Sequence, residues 1–176
     1  CDLVSEMVLE FPELQGIAGA EYARHDGEPA AVAEAIEYHY YPRFAGDELP
    51  PSPEATAVAL ADRLDTLVGI FGIGEPPTGS KDPFALRRAS LAVIRMLIGL
   101  EKPLSLTELL QGAFEQHTAE LSPDTAELVS QYILERLGNW YDDDGIHISV
   151  VRAALAAGAT DLFDIDHRVR ALNAFA

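Results

Sequence analysis

Four of the twelve basic residues in this chain, Lys81, Arg87, Arg88 and Arg95, fall within fifteen positions of one another. Arg88 and Arg95 stand about two helical turns apart and so share a face. Lys81 lies just before the same stretch, which opens on Asp82-Pro83, a cap followed by proline. Unbonded N–H groups at a helix start, a lysine beside them and the forked guanidinium of arginine together make a docking point for phosphate or another anion. The same arginines could instead bridge Asp62, Asp65 or Asp82 within the fold, because the chain holds 29 acidic residues. Asp62 and Asp65, three apart, themselves share a helical face.

Other patterns carry less chemistry. GIGEPPTGS lacks the Gly-Lys-Ser/Thr order of a phosphate-cradling loop and has no strand before it, so it reads as a helix terminator and a rigid turn. Asp142-Asp143-Asp144-Gly145 lacks the spaced ligands and closing glutamate of a calcium loop and reads as an exposed acidic turn. His25-Asp26 is followed at once by Gly27, Glu28 and Pro29, which makes it a surface turn between helices. His117, His147 and His167 are isolated, and no serine nucleophile arrangement occurs.

Composition narrows the class. A length of 176 residues with 48% hydrophobic content suits one sizeable core, or a domain with helical extensions. No apolar run approaches the ~18 residues of a membrane span. The start shows no basic-then-apolar leader. Cys1 is the sole cysteine, which excludes an internal disulfide. These features predict a cytoplasmic protein. The net charge of −17 repels polyphosphate at long range, so any RNA contact must be a local basic patch.

The elements that would position these residues are all helical. Leu3, Val4, Met7, Val8 and Phe11 fall on one helical face, ended by Pro12. Glu13 to Arg24 predicts a helix with Leu14, Ile17, Ala18 and Tyr22 inward. Pro29 to Tyr40 predicts a third, and Tyr41 to Pro51 a loop. Ser52-Pro53-Glu54 starts a helix reaching about Phe71. Asp82-Pro83 starts another reaching about Leu100. Ser105 and Glu108 form a capping box. Further helices run from Ser122-Pro123-Asp124 to near Gly138, from Ile148 to Ala157 and from Asp161 to Ala174. Trp140 to Gly145 predicts a turn. No alternating run is long enough for a strand, so the fold class is all-α, with a soft boundary near Lys102-Pro103. The last residues, ALNAFA, carry no stop signal, as if the chain continued.

The motifs EMVLEFPELQGIAGAEYA, VAEAIEYHYYPRFAGDELP, ADRLDTLVGIF, PTGSKDPFALRR and LFDIDHRVRALNAF occur in the order found in a known family. The chain resembles the β subunit of bacterial heterotetrameric glycyl-tRNA synthetase, in the part related to HD phosphohydrolases. The likeness covers nearly the whole chain, is most specific at PTGSKDPFALRR, and is loose between Lys102 and Ala159. It implies residues 1–101 as an HD-like helical bundle and 102–176 as a helical extension leading toward an anticodon-binding domain beyond this chain. It implies an α₂β₂ ligase in which ATP, magnesium and glycine are handled by the α subunit. The implied partners are that α subunit, the rest of β and tRNA(Gly), with no DNA or membrane, and no cofactor on this piece.

Active HD phosphohydrolases hold a divalent metal with histidines and aspartates from several helices, and the metal activates a water. Beside them, Cys1-Asp2 falls at the His-Asp doublet, so the aspartate is present without the histidine. Phe11 falls where histidine often precedes Pro-Glu, and its ring would fill space the ion needs. His39-Tyr40 falls at a paired His-His, and Asp62 matches the final aspartate. Asp2, His39 and Asp62 are therefore vestigial positions, and His39 is read as a satisfied, partly buried histidine. The resemblance implies a non-catalytic piece that supports tRNA positioning and subunit architecture. A metal-dependent phosphohydrolase and a helical interaction module are the rival readings.

Overall fold

The computed structural model describes residues 2–175, so Cys1 lies outside the described residues. Among them every regular element is helical. There are ten α-helices, one short 3-10 turn and two isolated bridges, Thr78 with Lys81 and Ser105 with Asp161, but no strand. The fold is all-α, as the helical periodicity requires. The chain divides into two compact units, one reaching to Asp62 and the other beginning at Arg63.

The first unit contains α1 (Glu6–Glu10), a 3-10 turn (Pro12–Leu14), α2 (Ile17–His25), α3 (Ala30–Tyr38) and the start of α4 (Pro53–Gly72). Ser5 caps α1 by accepting from the Val8 amide at 3.3 Å. The proline at position 12 ends α1 as its missing N–H demands. One core cluster of this unit is Ala20, Ala23 and Ala33, with Ile36 packed against them; Val8, Ala55, Ala59 and Leu60 are buried as well. Alanine lets α2 and α3 approach closely, and these two helices make the main contact of the unit. That choice overturns the expected facing of α2. Ala18 is buried as expected, but Ile17 and Tyr22 are both 48% exposed, because the alanine stripe is the face seated on α3. Of the apolar face around α1 only Val8 is buried.

In the loop before α4, Asp47 gathers the bonds of Arg43. Asp47 accepts from the Arg43 amide at 2.8 Å, from Arg43 Nε at 2.9 Å and from Arg43 Nη2 at 3.2 Å. The guanidinium lies over the Tyr41 ring, 4.1 Å from its centre. Ser52 then caps α4 by accepting from the Ala55 amide at 3.3 Å, with Pro53 in first position as the sequence predicts.

The second unit contains the end of α4, then α5 (Leu86–Gly99), α6 (Leu106–Gln116), α7 (Thr125–Glu135), α8 (Leu137–Asp143), α9 (Ile148–Leu155) and α10 (Leu162–Phe175). Its core is built from large aliphatics such as Leu67, Leu86, Ile94, Leu97, Leu110, Ile133 and Ile165, all fully buried. The expected acidic turn from Trp140 is instead α8. Leu137 and Tyr141 on that helix are both fully buried, and the Tyr141 hydroxyl donates to Asp166 at 2.9 Å. Burial of one aromatic outweighs the poor helix propensity of the aspartates around it. Asp166 also accepts from Arg170 Nε at 2.9 Å, and Arg170 Nη2 reaches Asp144 at 3.2 Å. Burial, and then the Asp166 charge, push the Tyr141 hydroxyl pKa far upward, so it stays a donor.

Candidate functional site

An interior polar cluster of the first unit gathers on Asp2. Asp2 is 3% exposed. Its Oδ2 accepts from the amides of Gly16 at 2.7 Å and Gly19 at 3.0 Å, and its Oδ1 accepts from the Tyr40 hydroxyl at 2.9 Å. Gly16 is the N-cap residue of α2, so Asp2 supplies from far upstream the carboxylate that a local cap would provide. Burial alone would raise the Asp2 pKa. The bonds from Gly19, Tyr40 and Gly16 outweigh it and hold the group below the ordinary carboxylate value. Burial, aided by Asp2, pushes the Tyr40 hydroxyl up to about 12.

Two glycines make room for this arrangement. A Cβ at Gly19 would stand 2.8 Å from Asp2 Cβ and 2.8 Å from Ile36 Cγ2. Gly16 has a φ of +87°, and a Cβ there would stand 2.8 Å from the Glu37 carbonyl oxygen.

His39 is 2% exposed; its Nδ1 donates to the Ile36 carbonyl at 2.7 Å, and its ring lies 3.9 Å from that of Tyr40. Asp62 is on the exposed side of α4, near enough for its charge to act on Tyr40. These three positions do not fit a divalent cation. Both oxygens of Asp2 already receive N–H and O–H donors, so the carboxylate would have to abandon the α2 start to ligate. Among the described residues no three His, Cys, Asp or Glu side chains gather as a metal site requires. Phe11 corrects one expectation: it is 50% exposed and fills no interior space.

In the second unit α5 starts later than expected. Ala85 takes a left-handed conformation, φ +55°, and the helix begins at Leu86. Asp82 remains the cap, accepting from the amides of Leu86 at 2.8 Å and Arg87 at 3.0 Å. Two of the amides expected to receive an anion are thus already bonded to a carboxylate. Arg87 donates to the Gly79 carbonyl and so ties the PTGSK turn to α5. The turn itself closes through Lys81 N to Thr78 O at 2.8 Å and Thr78 N to Lys81 O at 3.1 Å. Arg95 is half-buried, whereas Lys81 and Arg88 are exposed. Neither of these two side chains has a partner among the described residues.

The glycines of α4 answer to packing. Gly69 faces His117, whose Cε1 would lie 3.0 Å from an added Cβ, and Gly72 faces Leu121 at 2.7 Å. At Gly72 an added Cβ would force Leu121 to shift, whereas at Gly69 the His117 ring would have to give by only a few tenths of an ångström. His117 Nε2 stands 3.2 Å from Asp65 without hydrogen-bond geometry, so Asp65 neighbours a histidine and not the arginines of α5. Gly74, with φ +81°, is the turn that follows α4.

Fold and geometry define a protein that is all-helical over the described residues, in which the buried Asp2 carboxylate of the first unit bonds the start of α2 and Tyr40, and whose second unit exposes Lys81 and Arg88 near the capped start of α5. Comparison with known proteins gives the particular family. Residues 1–156 match the family model described as glycyl-tRNA synthetase beta subunit. The chain is 52% identical over 99% of its length to the glycine–tRNA ligase beta subunit of Chromohalobacter salexigens, and 49% identical to that of Pasteurella multocida. That of Coxiella burnetii is 51% identical. The chain belongs to the glycyl-tRNA synthetase beta subunit family. It spans 26% of the length of these relatives.

Proposed function

We propose that these residues act as an internal domain of a glycine–tRNA ligase β subunit and take part in ATP-dependent glycyl-tRNA formation in the cytoplasm as scaffold and tRNA-positioning element. On this reading ATP, magnesium and glycine are bound by the α subunit. Residues 1–101 form an HD-like bundle without metal chemistry, and residues 102–176 lead toward the anticodon-binding part of β. The family match over residues 1–156 is the observation that carries the proposal. The commitment of Asp2 to helix capping supports the absence of hydrolytic chemistry.

Lys81 and Arg88 are the residues proposed to meet the tRNA backbone. They are exposed and unpaired in a chain of net charge −17, where a lone cation pair has local value. The test is tRNA(Gly) binding by the assembled α₂β₂ enzyme carrying Lys81→Glu and Arg88→Glu. Affinity is expected to fall, and the slope of log K against log salt to shrink by about 1 for each phosphate no longer neutralised. Unchanged affinity and slope would remove the tRNA role and leave these cations to domain docking. Manganese-dependent phosphatase activity in the purified chain, abolished by His39→Ala, would restore the hydrolase reading.

A further inference from the structure

Arg136 joins α7 to α8 and has no carboxylate partner among the described residues, in a chain with 29 acids. Its guanidinium carbon stands 3.9 Å from the centre of the Tyr132 ring, and that ring meets Phe71 edge-on at 5.0 Å. Aromatic stacking and the end of α7 would account for a cation here. They do not account for its donors. Arg136 Nε, the Tyr132 hydroxyl and the Trp140 indole nitrogen are all enclosed without a hydrogen-bond partner. The Nη groups of Arg136 have no partner either and are not enclosed, so an acceptor from outside can reach them.

Local geometry brings these residues together. The ring contact joins positions 132 and 136, and a 3.0 Å bond from the Trp140 amide to the Arg136 carbonyl sets position 140 one turn further on. Leu128, one turn before Tyr132 within α7, is 42% exposed. Two partly buried aromatics and a stacked guanidinium are the residue types that anchor protein interfaces, and here an exposed leucine stands at one end of them.

The chemistry of the cluster selects its occupant. The Arg and Trp nitrogens only donate, so the occupant must bring acceptors, and a guanidinium matches a carboxylate or a phosphate. α7 and α8 themselves contain no Lys or Arg, and they carry Glu127, Glu135, Asp142 and Asp143. A polyphosphate would meet those acids, whereas a single carboxylate on a protein segment need meet only Arg136. This chain covers 26% of the length of its relatives, so a β polypeptide of that length has ample further chain to supply the segment, tethered at high effective concentration. We infer that Arg136, with Tyr132 and Trp140, anchors an Asp or Glu side chain from another part of the same β subunit. This inference rests on the reading above that the chain works within a longer β polypeptide.

The test places the photoreactive residue p-benzoylphenylalanine at position 128 of full-length β, in place of the exposed Leu128, irradiated alone and again as α₂β₂. The expected product has the mass of one β chain, forms without α, and joins position 128 to an Asp- or Glu-bearing peptide outside these 176 residues. Arg136→Gln in the same background should cut the yield about fivefold or more, and Arg136→Lys should cut it less, because the charge survives without the fork. Replacement of the mapped carboxylate by its amide leaves the cluster itself untouched, and the same loss of product is expected. A crosslink to α, to tRNA, to a second β copy or to a peptide within the 176 residues would overturn the proposal. So would the absence of a crosslink, or a yield unchanged by removal of the mapped carboxylate. Glycylation by the assembled, unsubstituted enzyme tests the family reading separately, since activity without the expected crosslink would sink this inference alone.

Discussion

Asp2 and Gly16 are joined by a 2.7 Å hydrogen bond across fourteen residues, and through it the first residues of the chain hold the start of α2. Asp2→Ala strips acceptors from two amides and from the Tyr40 hydroxyl. Removal of a cap together with unsatisfied donors is expected to cost about 2–3 kcal/mol. The effect has a defined pH dependence. The folded pKa lies below the ordinary 3.8, so the stabilisation is present in full above that value and disappears as pH falls through the folded pKa. Urea unfolding of both proteins, stepped from neutral to strongly acid pH, should show a gap that is constant near neutrality and narrows below about pH 4. A gap that widens in acid would contradict the assignment.

The glycines give a paired test in which one substitution has opposite signs. Gly112 lies exposed within α6, with nothing within 4 Å of an added Cβ and no positive φ. Gly112→Ala is expected to stabilise by about 0.5–1 kcal/mol, through helix propensity and a less flexible unfolded chain. At Gly72 the same methyl would press on Leu121 Cδ2 at 2.7 Å. Gly72→Ala is expected to destabilise by about 1–3 kcal/mol as the packed leucine is displaced. Thermal unfolding of the two variants reads both signs directly.

Much of the fold was legible because helix signals are local. Ser52 and Ser105 act on amides three residues ahead, which a reader of the sequence can find. Asp2 acts on Gly16, beyond the reach of any local rule, and the only hint was a pair of glycines spaced one turn apart in QGIAG. Asp82 was recognisable as a cap, but the left-handed Ala85 between it and Leu86 delays the helix and leaves the amides bonded. α8 escaped the sequence because its aspartates read as a turn, while the deciding contact, Tyr141 to Asp166, is tertiary. The basic pair was visible as a cluster of four. Which two remain available depends on Arg87 reaching Gly79 and on Arg95 being half-buried, and both are set by tertiary packing.

Asp47 provides an acid-range measurement in the first unit. Hydrogen bonds from the Arg43 side chain and amide hold its pKa at about 2. The stabilisation it provides is complete above the ordinary 3.8 and declines toward about 2. In Arg43→Gln the carboxyl keeps the amide bond but loses the guanidinium, and its titration should move up toward the ordinary value. Carbon-13 shifts of the Asp47 carboxyl against pH measure this, and an unmoved midpoint would show that the backbone amide alone sets it.

Arg87 and Arg88 are adjacent in sequence and opposite in role. Arg87 donates to the Gly79 carbonyl and fixes the turn carrying Lys81, whereas Arg88 is exposed and unpartnered among the described residues. Arg87→Ala is expected to lower stability by about 1 kcal/mol and to loosen the turn, seen as faster amide exchange at Lys81. Arg88→Ala should leave stability within about 0.5 kcal/mol, because it removes no internal bond. On the proposed function, the order reverses for tRNA binding by the assembled enzyme. Arg88→Ala should weaken tRNA binding at every salt concentration and flatten its salt slope, while Arg87→Ala should act only through the position of Lys81. Equal destabilisation at the two positions would mean that Arg88 has an internal partner, and the proposed contact would then rest on Lys81 alone.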